Sequence, residues 1–136
     1  MSGGAGEDEL FGDAGNDTLW GNAEGESDAQ VDFLNGGAGD DALMLGAGDW
    51  GHGGEGADDF IVTDFGAGDN IVQMTDFNAE EDQLIFLYDS SLATPPEVTL
   101  QQDVAGNTQI LLDGQIAVTL GAGATIDVQD IILRAD

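Results

Sequence analysis

The chain of 136 residues has no cysteine, no lysine, two prolines and a single strong base, Arg134. The missing cysteines exclude disulfides, thiolate metal sites and cysteine nucleophiles. The missing bases make nucleic acid, anionic lipid and acidic polysaccharide poor partners, because the counter-charge is missing. No apolar run approaches the ~20 residues of a membrane span. The first residues lack the basic region and apolar core of a secretory signal peptide. No amphipathic helical period is visible.

What is abundant is acid and glycine: 28 Asp and Glu, 22 Gly, a formal net charge of −27 and a hydrophobic fraction of 41%. Such acidity with few aromatics commonly gives disorder, yet the apolar fraction is too high for an acidic tail. Order is available if the carboxylates are neutralised. The length suits one domain or a short solenoid.

The order of these residues is repetitive. Gly3-Gly4-Ala5-Gly6-Glu7-Asp8-Glu9-Leu10-Phe11 is followed at once by Gly12-Asp13-Ala14-Gly15-Asn16-Asp17-Thr18-Leu19-Trp20. Gly36 to Met44 and Gly53 to Ile61 repeat the form G-G-x-G-x-D-x-U-x, with U a large apolar residue. The third unit opens at Gly21 and closes at Asp32-Phe33-Leu34-Asn35, around an insertion carrying Glu24, Glu26 and Asp28, read as a solvated loop. The fifth, Leu45 to His52, is a residue short, with Trp50 read at the Asp position and His52 at the apolar one. The seventh has Asn70 at the Asp position, next to Asp69. Met1 stands two residues before a repeat in register, which reads as a chain cut from something longer.

A bridge from Met74 to Phe86 leads to a region of different composition. Val98–Gln101, Thr108–Leu112, Ile116–Leu120 and Val128–Leu133 are predicted strands. Asp113-Gly114 is a two-residue hairpin signal, Ala105-Gly106-Asn107 marks a turn, and Pro95-Pro96 breaks the chain.

Burying the one reliable apolar residue of a nonapeptide contributes about 1.5–3 kcal/mol, whereas fixing nine backbones costs several times more. With two repeats per coil, units n and n+2 stack ~4.8 Å apart. Asp17, Asp41 and Asp58 then form one ladder, and Asp8 with Asp49 or Asp69 another. Bare charges at that spacing repel by about 3–4 kcal/mol at an effective dielectric of 20; a divalent cation between rungs reverses the sign. The donors on offer, carboxylates and the carbonyls of glycine-rich turns, are hard oxygens suited to Ca²⁺.

At these residues the chain resembles the RTX, or haemolysin-type calcium-binding, repeats of type I-secreted bacterial proteins. The resemblance covers residues 3–72 and extends through Thr75-Asp76-Phe77 and Asp82-Gln83-Leu84, which are similar to the usual exit from such arrays. It implies an all-β, right-handed parallel β-roll over residues 1–74 and, over 75–136, a C-terminal antiparallel β cap and secretion-signal region. It also implies calcium ligands by position: Asp8, Asp17, Asp41 and Asp58, with the carbonyls of Gly12, Ala14, Gly37, Gly39, Gly53 and Glu55. Asp32, Asp49 and Asp69 fall in departing repeats, so the Asp8–Asp49–Asp69 side is expected to be interrupted. The implied partners are several calcium ions and the type I secretion machinery, and the implied location is extracellular.

Other readings of single features are weaker. Gly46-Ala47-Gly48-Asp49-Trp50-Gly51 fits G-x-G-x-x-G without the strand and helix that dinucleotide binding needs. His52 and Ser90-Ser91 lack catalytic partners in sequence, so no enzymatic role is expected. Trp20 and Trp50 are expected to pack at an edge or end of the roll, with sugar stacking the alternative. The competing functions are a carbohydrate-binding or adhesive module and the accessory domain of a secreted enzyme.

Overall fold

The structure, a computed structural model, describes residue 3 and residues 6–21, 31–46, 48–62, 71–78, 80–88, 97–121 and 126–135. Each repeat contributes a strand of three or four residues that turns one or two residues inward, an apolar one in every strand but β5. These strands are β1 (Glu9–Phe11), β2 (Thr18–Trp20), β3 (Phe33–Asn35), β4 (Ala42–Leu45), β5 (Trp50–His52), β6 (Asp59–Val62) and β7 (Val72–Met74). Strands as short as these survive only by stacking. Odd strands pair in parallel in one sheet and even strands in another, so two repeats make one coil.

Leu10, Leu34 and Met74 line the inside of the first sheet, facing Leu19, Leu43, Phe60 and Leu84 of the second, all at most 5% exposed. The irregular repeats are absorbed without loss of register. Glu9 pairs Phe33 and Thr18 pairs Ala42, both 24 residues on; Phe33 then pairs Trp50 and Ala42 pairs Asp59, both 17 on. Both sheets therefore take up the insertion in one coil step and the deletion in the next.

The fifth repeat differs from its sequence reading. Trp50 opens β5 opposite Phe33, and Asp49 holds the Asp position. The residue in the apolar slot is Gly51 rather than His52. A methyl group on Gly51 would lie 3.0 Å from Leu45 Cδ1 and 3.3 Å from Phe60 Cδ1. Leu45, the additional inward residue of β4, thus fills the volume that Gly51 leaves.

Beyond the repeats, β8 (Gln83–Tyr88) pairs in parallel with β6 and continues the second sheet. Its run Leu84-Ile85-Phe86 is buried on both faces, which hides the alternation that marks a strand. The Phe77 ring meets Phe60 edge-on, centroids 5.6 Å apart, where the chain crosses from β7 to β8.

Three further strands, β9 (Val98–Gln102), β10 (Thr108–Leu112) and β11 (Gln115–Leu120), form an antiparallel meander. Asp113 (φ 52°) and Gly114 (φ 83°) make its hairpin turn, both left-handed as a type I′ turn requires. The meander does not stand apart as a lid: β11 pairs in parallel with β7, so the first sheet runs on to seven strands in the order β1-β3-β5-β7-β11-β10-β9.

The last predicted strand splits. Val128–Asp130 is a 3-10 turn, closed by Asp127 N–H donating to Asp130 Oδ2 at 2.9 Å and Asp130 N–H to the Asp127 carbonyl. Only Ile131–Ala135 is extended, as β12, and it pairs with β8 in parallel, unlike the antiparallel cap expected there. Both sheets therefore run from the repeat region into the C-terminal region.

Candidate metal centre

The turns of the regular repeats rest on two left-handed positions. At the fourth, Gly6, Gly15, Gly39 and Gly56 have φ between 100° and 119°; at the second, Gly37 and Gly54 have φ near 90°. Asp13 occupies that second position in its repeat and takes φ 65°, a conformation glycine adopts without cost. The turns of successive coils lock together: Gly15 N–H donates to the Ala38 carbonyl, Gly39 N–H to Glu55, and Ala38 bridges both Ala14 and Glu55.

This stacking brings the sixth-position aspartates into two ladders. In one, Asp17 N–H donates to Asp41 Oδ1 (2.8 Å), Asp41 N–H to Asp58 Oδ1 (2.9 Å) and Asp58 N–H to Asp82 Oδ1 (2.9 Å). In the other, Asp8 N–H donates to Asp32 Oδ1 (2.7 Å) and Asp32 N–H to Asp49 Oδ1 (3.0 Å). The second ladder is thus continuous through the disturbed repeats, where an interruption was expected; the insertion lies between strands and leaves Asp32 in register. Asp69 and Asn70, and the insertion acids Glu24, Glu26 and Asp28, lie outside the described residues.

Oδ1 of Asp32, Asp41, Asp49, Asp58 and Asp82 is thus committed to the backbone. The outer oxygens differ. Oδ2 of Asp8, Asp17, Asp41 and Asp58 is buried with no hydrogen-bond partner among the described residues. Asp49 Oδ2 accepts the Gly46 N–H (2.7 Å) and Asp82 Oδ2 the Asn78 N–H (3.0 Å). A buried, unpaired carboxylate oxygen is costly unless a cation meets it.

These oxygens sit where the first glycine of each repeat has no side chain. A methyl group on Gly12 would stand 2.9 Å from Asp17 Oδ2 and 2.6 Å from the Gly36 carbonyl oxygen; one on Gly3 would stand 2.6 Å from Asp8 Oδ2. Gly36 and Gly53 have the same relation to Asp41 and Asp58.

The electrostatics agree with the geometry. Burial pushes the Asp58 carboxyl up to about 6; the neighbouring carboxylates Asp82, Asp41 and Asp76 add to the rise and the Asp41 N–H opposes it. Burial also raises Asp41 and Asp82. Without a cation, these groups hold protons more tightly than free aspartates do.

Among the described residues no three acidic or histidine side chains converge on one point. A cation here must complete its shell with main-chain oxygens. Of the carbonyls that the resemblance implies, Gly37 and Glu55 each accept one turn-to-turn hydrogen bond, from Glu55 N–H and Gly39 N–H, and keep a second lone pair. Those of Gly12, Ala14, Gly39 and Gly53 accept none of these turn-to-turn bonds. Hard oxygen donors, orphaned carboxylate oxygens and glycine cradles fit Ca²⁺, which takes six to eight oxygens in a flexible shell.

Comparison with known families bears this out at the level of the repeat. The model of the RTX calcium-binding nonapeptide repeat matches residues 1–24 and 28–49, in four copies. These residues are an RTX calcium-binding repeat array. No curated protein matches the chain. The RTX geometry continues past the matched residues: the turn from Gly53 to Asp58 has the same left-handed glycines, bridge and ladder bonds.

Sequence reasoning missed two aspartates. Asp82 is a fourth rung, and its signal, Asp-x-apolar in Asp82-Gln83-Leu84, coincides with the exit from the array. Asp76 accepts the Gly53 and Gly54 N–H groups through Oδ1 (2.9 Å) and Oδ2 (2.7 Å), steadying the last RTX turn. His52 is half-buried beside it, with Nδ1 2.8 Å from Thr75 Oγ1 and 3.6 Å from Asp76 Oδ2.

Proposed function

We propose that the chain is a calcium-triggered folding module: expanded by its own charge at low calcium, folded once exported into a calcium-rich medium, and stabilising there the secreted protein that carries it. The observation that supports this best is the set of buried, unpaired Oδ2 atoms of Asp8, Asp17, Asp41 and Asp58. A metal that binds only the folded state adds its binding free energy to folding. Asp8, Asp17, Asp41 and Asp58 would supply carboxylate oxygens, Asp32 and Asp49 further ones, and the turn carbonyls the remainder. Calcium supplies charge neutralisation and cross-coil bridging rather than reaction chemistry, so the module itself does no catalysis. RTX repeats are typical of secreted proteins, which supports the extracellular setting, with type I export as the route.

Calorimetric titration of the metal-free chain with Ca²⁺ tests this. Several ions should bind, with affinities of about 10⁻⁴–10⁻³ M, the range of extracellular modules. Asp17→Asn, Asp41→Asn and Asp58→Asn together should abolish the part of the heat due to that ladder. Equal heats from the variant and the parent would remove the ladder as the binding site.

A further inference from the structure

We propose that the cleft where the RTX roll joins the β9–β11 meander is a binding site for an uncharged saccharide. Register across three adjacent strands places Trp50 beside Gln73 and Gln73 beside Thr119 on the outer face of the first sheet. Thr75 at the end of β7 and Asn107 in the β9–β10 turn complete the polar wall around a shallow cavity of ≈ 240 Å³, which Met74, Leu120 and Gly121 also border.

Three observations define the ligand. First, Trp50 is 42% exposed on β5, which lies between β3 and β7 and not at an edge of the sheet as expected. A large apolar ring on an internal strand is left to meet something else. Second, among the described residues no charged side chain lines the cleft, although the chain carries 28 acids. Neither a cation nor an anion finds a counter-charge in it.

Third, its polar groups are amides and hydroxyls. Gln73 makes no side-chain hydrogen bond among the described residues. Asn107 Nδ2 donates to Asp103 Oδ2 (3.1 Å), which fixes the amide and keeps Oδ1 as an acceptor. Thr75 Oγ1 is held by His52 Nδ1 and the Gly51 carbonyl. An aromatic face bordered by neutral donors and acceptors matches a pyranose ring, whose C–H face is apolar and whose rim is hydroxyl. Trp20 lies on the other sheet and takes no part.

The cleft depends on the calcium-folded roll, since β5 and β7 supply half of it, so the test reads the two separately. The Ca²⁺-loaded chain is titrated with glucose, galactose, mannose and N-acetylglucosamine, their disaccharides, and glucuronate. Amide and indole N–H shifts are followed by NMR, and circular dichroism is recorded on the same samples. At least one neutral sugar should shift Trp50, Gln73 and Thr119. Trp50→Ala should weaken that binding about tenfold or more, and Trp20→Ala should leave it unchanged. Three results overturn the proposal while the calcium-dependent spectrum is intact: no neutral sugar shifting these residues, shifts that persist in Trp50→Ala, or glucuronate binding as well as glucose. A spectrum that ignores calcium would count against the folding module instead.

Discussion

The repeat coils and the C-terminal meander share one sheet yet are built from different materials. In the coils the buried polar residues are Asp32, Asp41, Asp49, Asp58 and, at the exit, Asp82; in β9–β11 they are Thr108 and Thr119. The coils bury one or two apolar residues per short strand, or only a glycine in β5, whereas β10 and β11 bury Ile110, Leu112, Ala117, Val118 and Leu120 around a hairpin. One part of the sheet has carboxylates where the other has core. On the proposed function the coils require a counter-ion, and β11 of the meander is the edge on which β7, the last odd strand of the roll, aligns in parallel.

The largest consequence concerns which part opens first. In excess chelator, amides of residues 9–62 should exchange hydrogen far faster than those of 98–120. With calcium the two should be protected to a similar degree, as hydrogen–deuterium exchange can show. Equal loss of protection would mean that the meander has no stability of its own.

Next comes a pair of glycines. A methyl group on Gly36 would lie 2.8 Å from Asp41 Cβ, whereas one on Gly121 meets nothing closer than the Thr75 carbonyl at 3.4 Å. Gly36→Ala should cost about 1–3 kcal/mol of stability in calcium and weaken calcium binding. Gly121→Ala should change thermal unfolding little. Equal effects would erase the distinction between a cradle and an ordinary turn.

The Asp58 carboxyl gives a pH dependence whose sign follows from its raised value. Its folded pKa of about 6 exceeds the unfolded 3.8. The stabilising, protonated form is fully present below 3.8 and is lost as pH rises through 6. The metal-free roll should therefore gain β signal on acidification from pH 7 towards 4, while calcium affinity rises with pH through the same window. Asp58→Asn should have opposite effects in the two states: in chelator it stabilises by on the order of 1–3 kcal/mol at pH 7, and in calcium it destabilises. Circular dichroism at fixed pH measures both.

The smallest effect is at Asp13, whose φ of 65° is left-handed. Asp13→Gly should stabilise the calcium-loaded chain by about 1 kcal/mol, seen as a higher thermal midpoint.

Much of this fold was legible because the nonapeptide is periodic. The spacing of Asp17, Asp41 and Asp58 fixes their ladder once two repeats make a coil, and Asp113-Gly114 announces its hairpin through the φ angles it tolerates. What was hidden lay where length and chemistry part company. Asp32 was obscured by an insertion that the coil absorbs between strands. Trp50 was read in the Asp position because the deletion was assigned to the wrong side of Asp49. The Gly51–Leu45 exchange of volume depends on packing across the roll, which no local pattern encodes. β8 lacked alternation because both of its faces are buried. β12 runs against the antiparallel expectation, since parallel pairing with β8 is set by the crossover and not by its own residues.

The central claim is that the roll stands only with calcium. Far-UV circular dichroism of the whole chain at pH 7, first in excess chelator and then titrated with Ca²⁺ and separately with Mg²⁺, tests it most directly. The account predicts a weakly structured spectrum in chelator, a cooperative gain of β signal with Ca²⁺ and little response to Mg²⁺. A full β spectrum in excess chelator, unchanged by calcium, would contradict it.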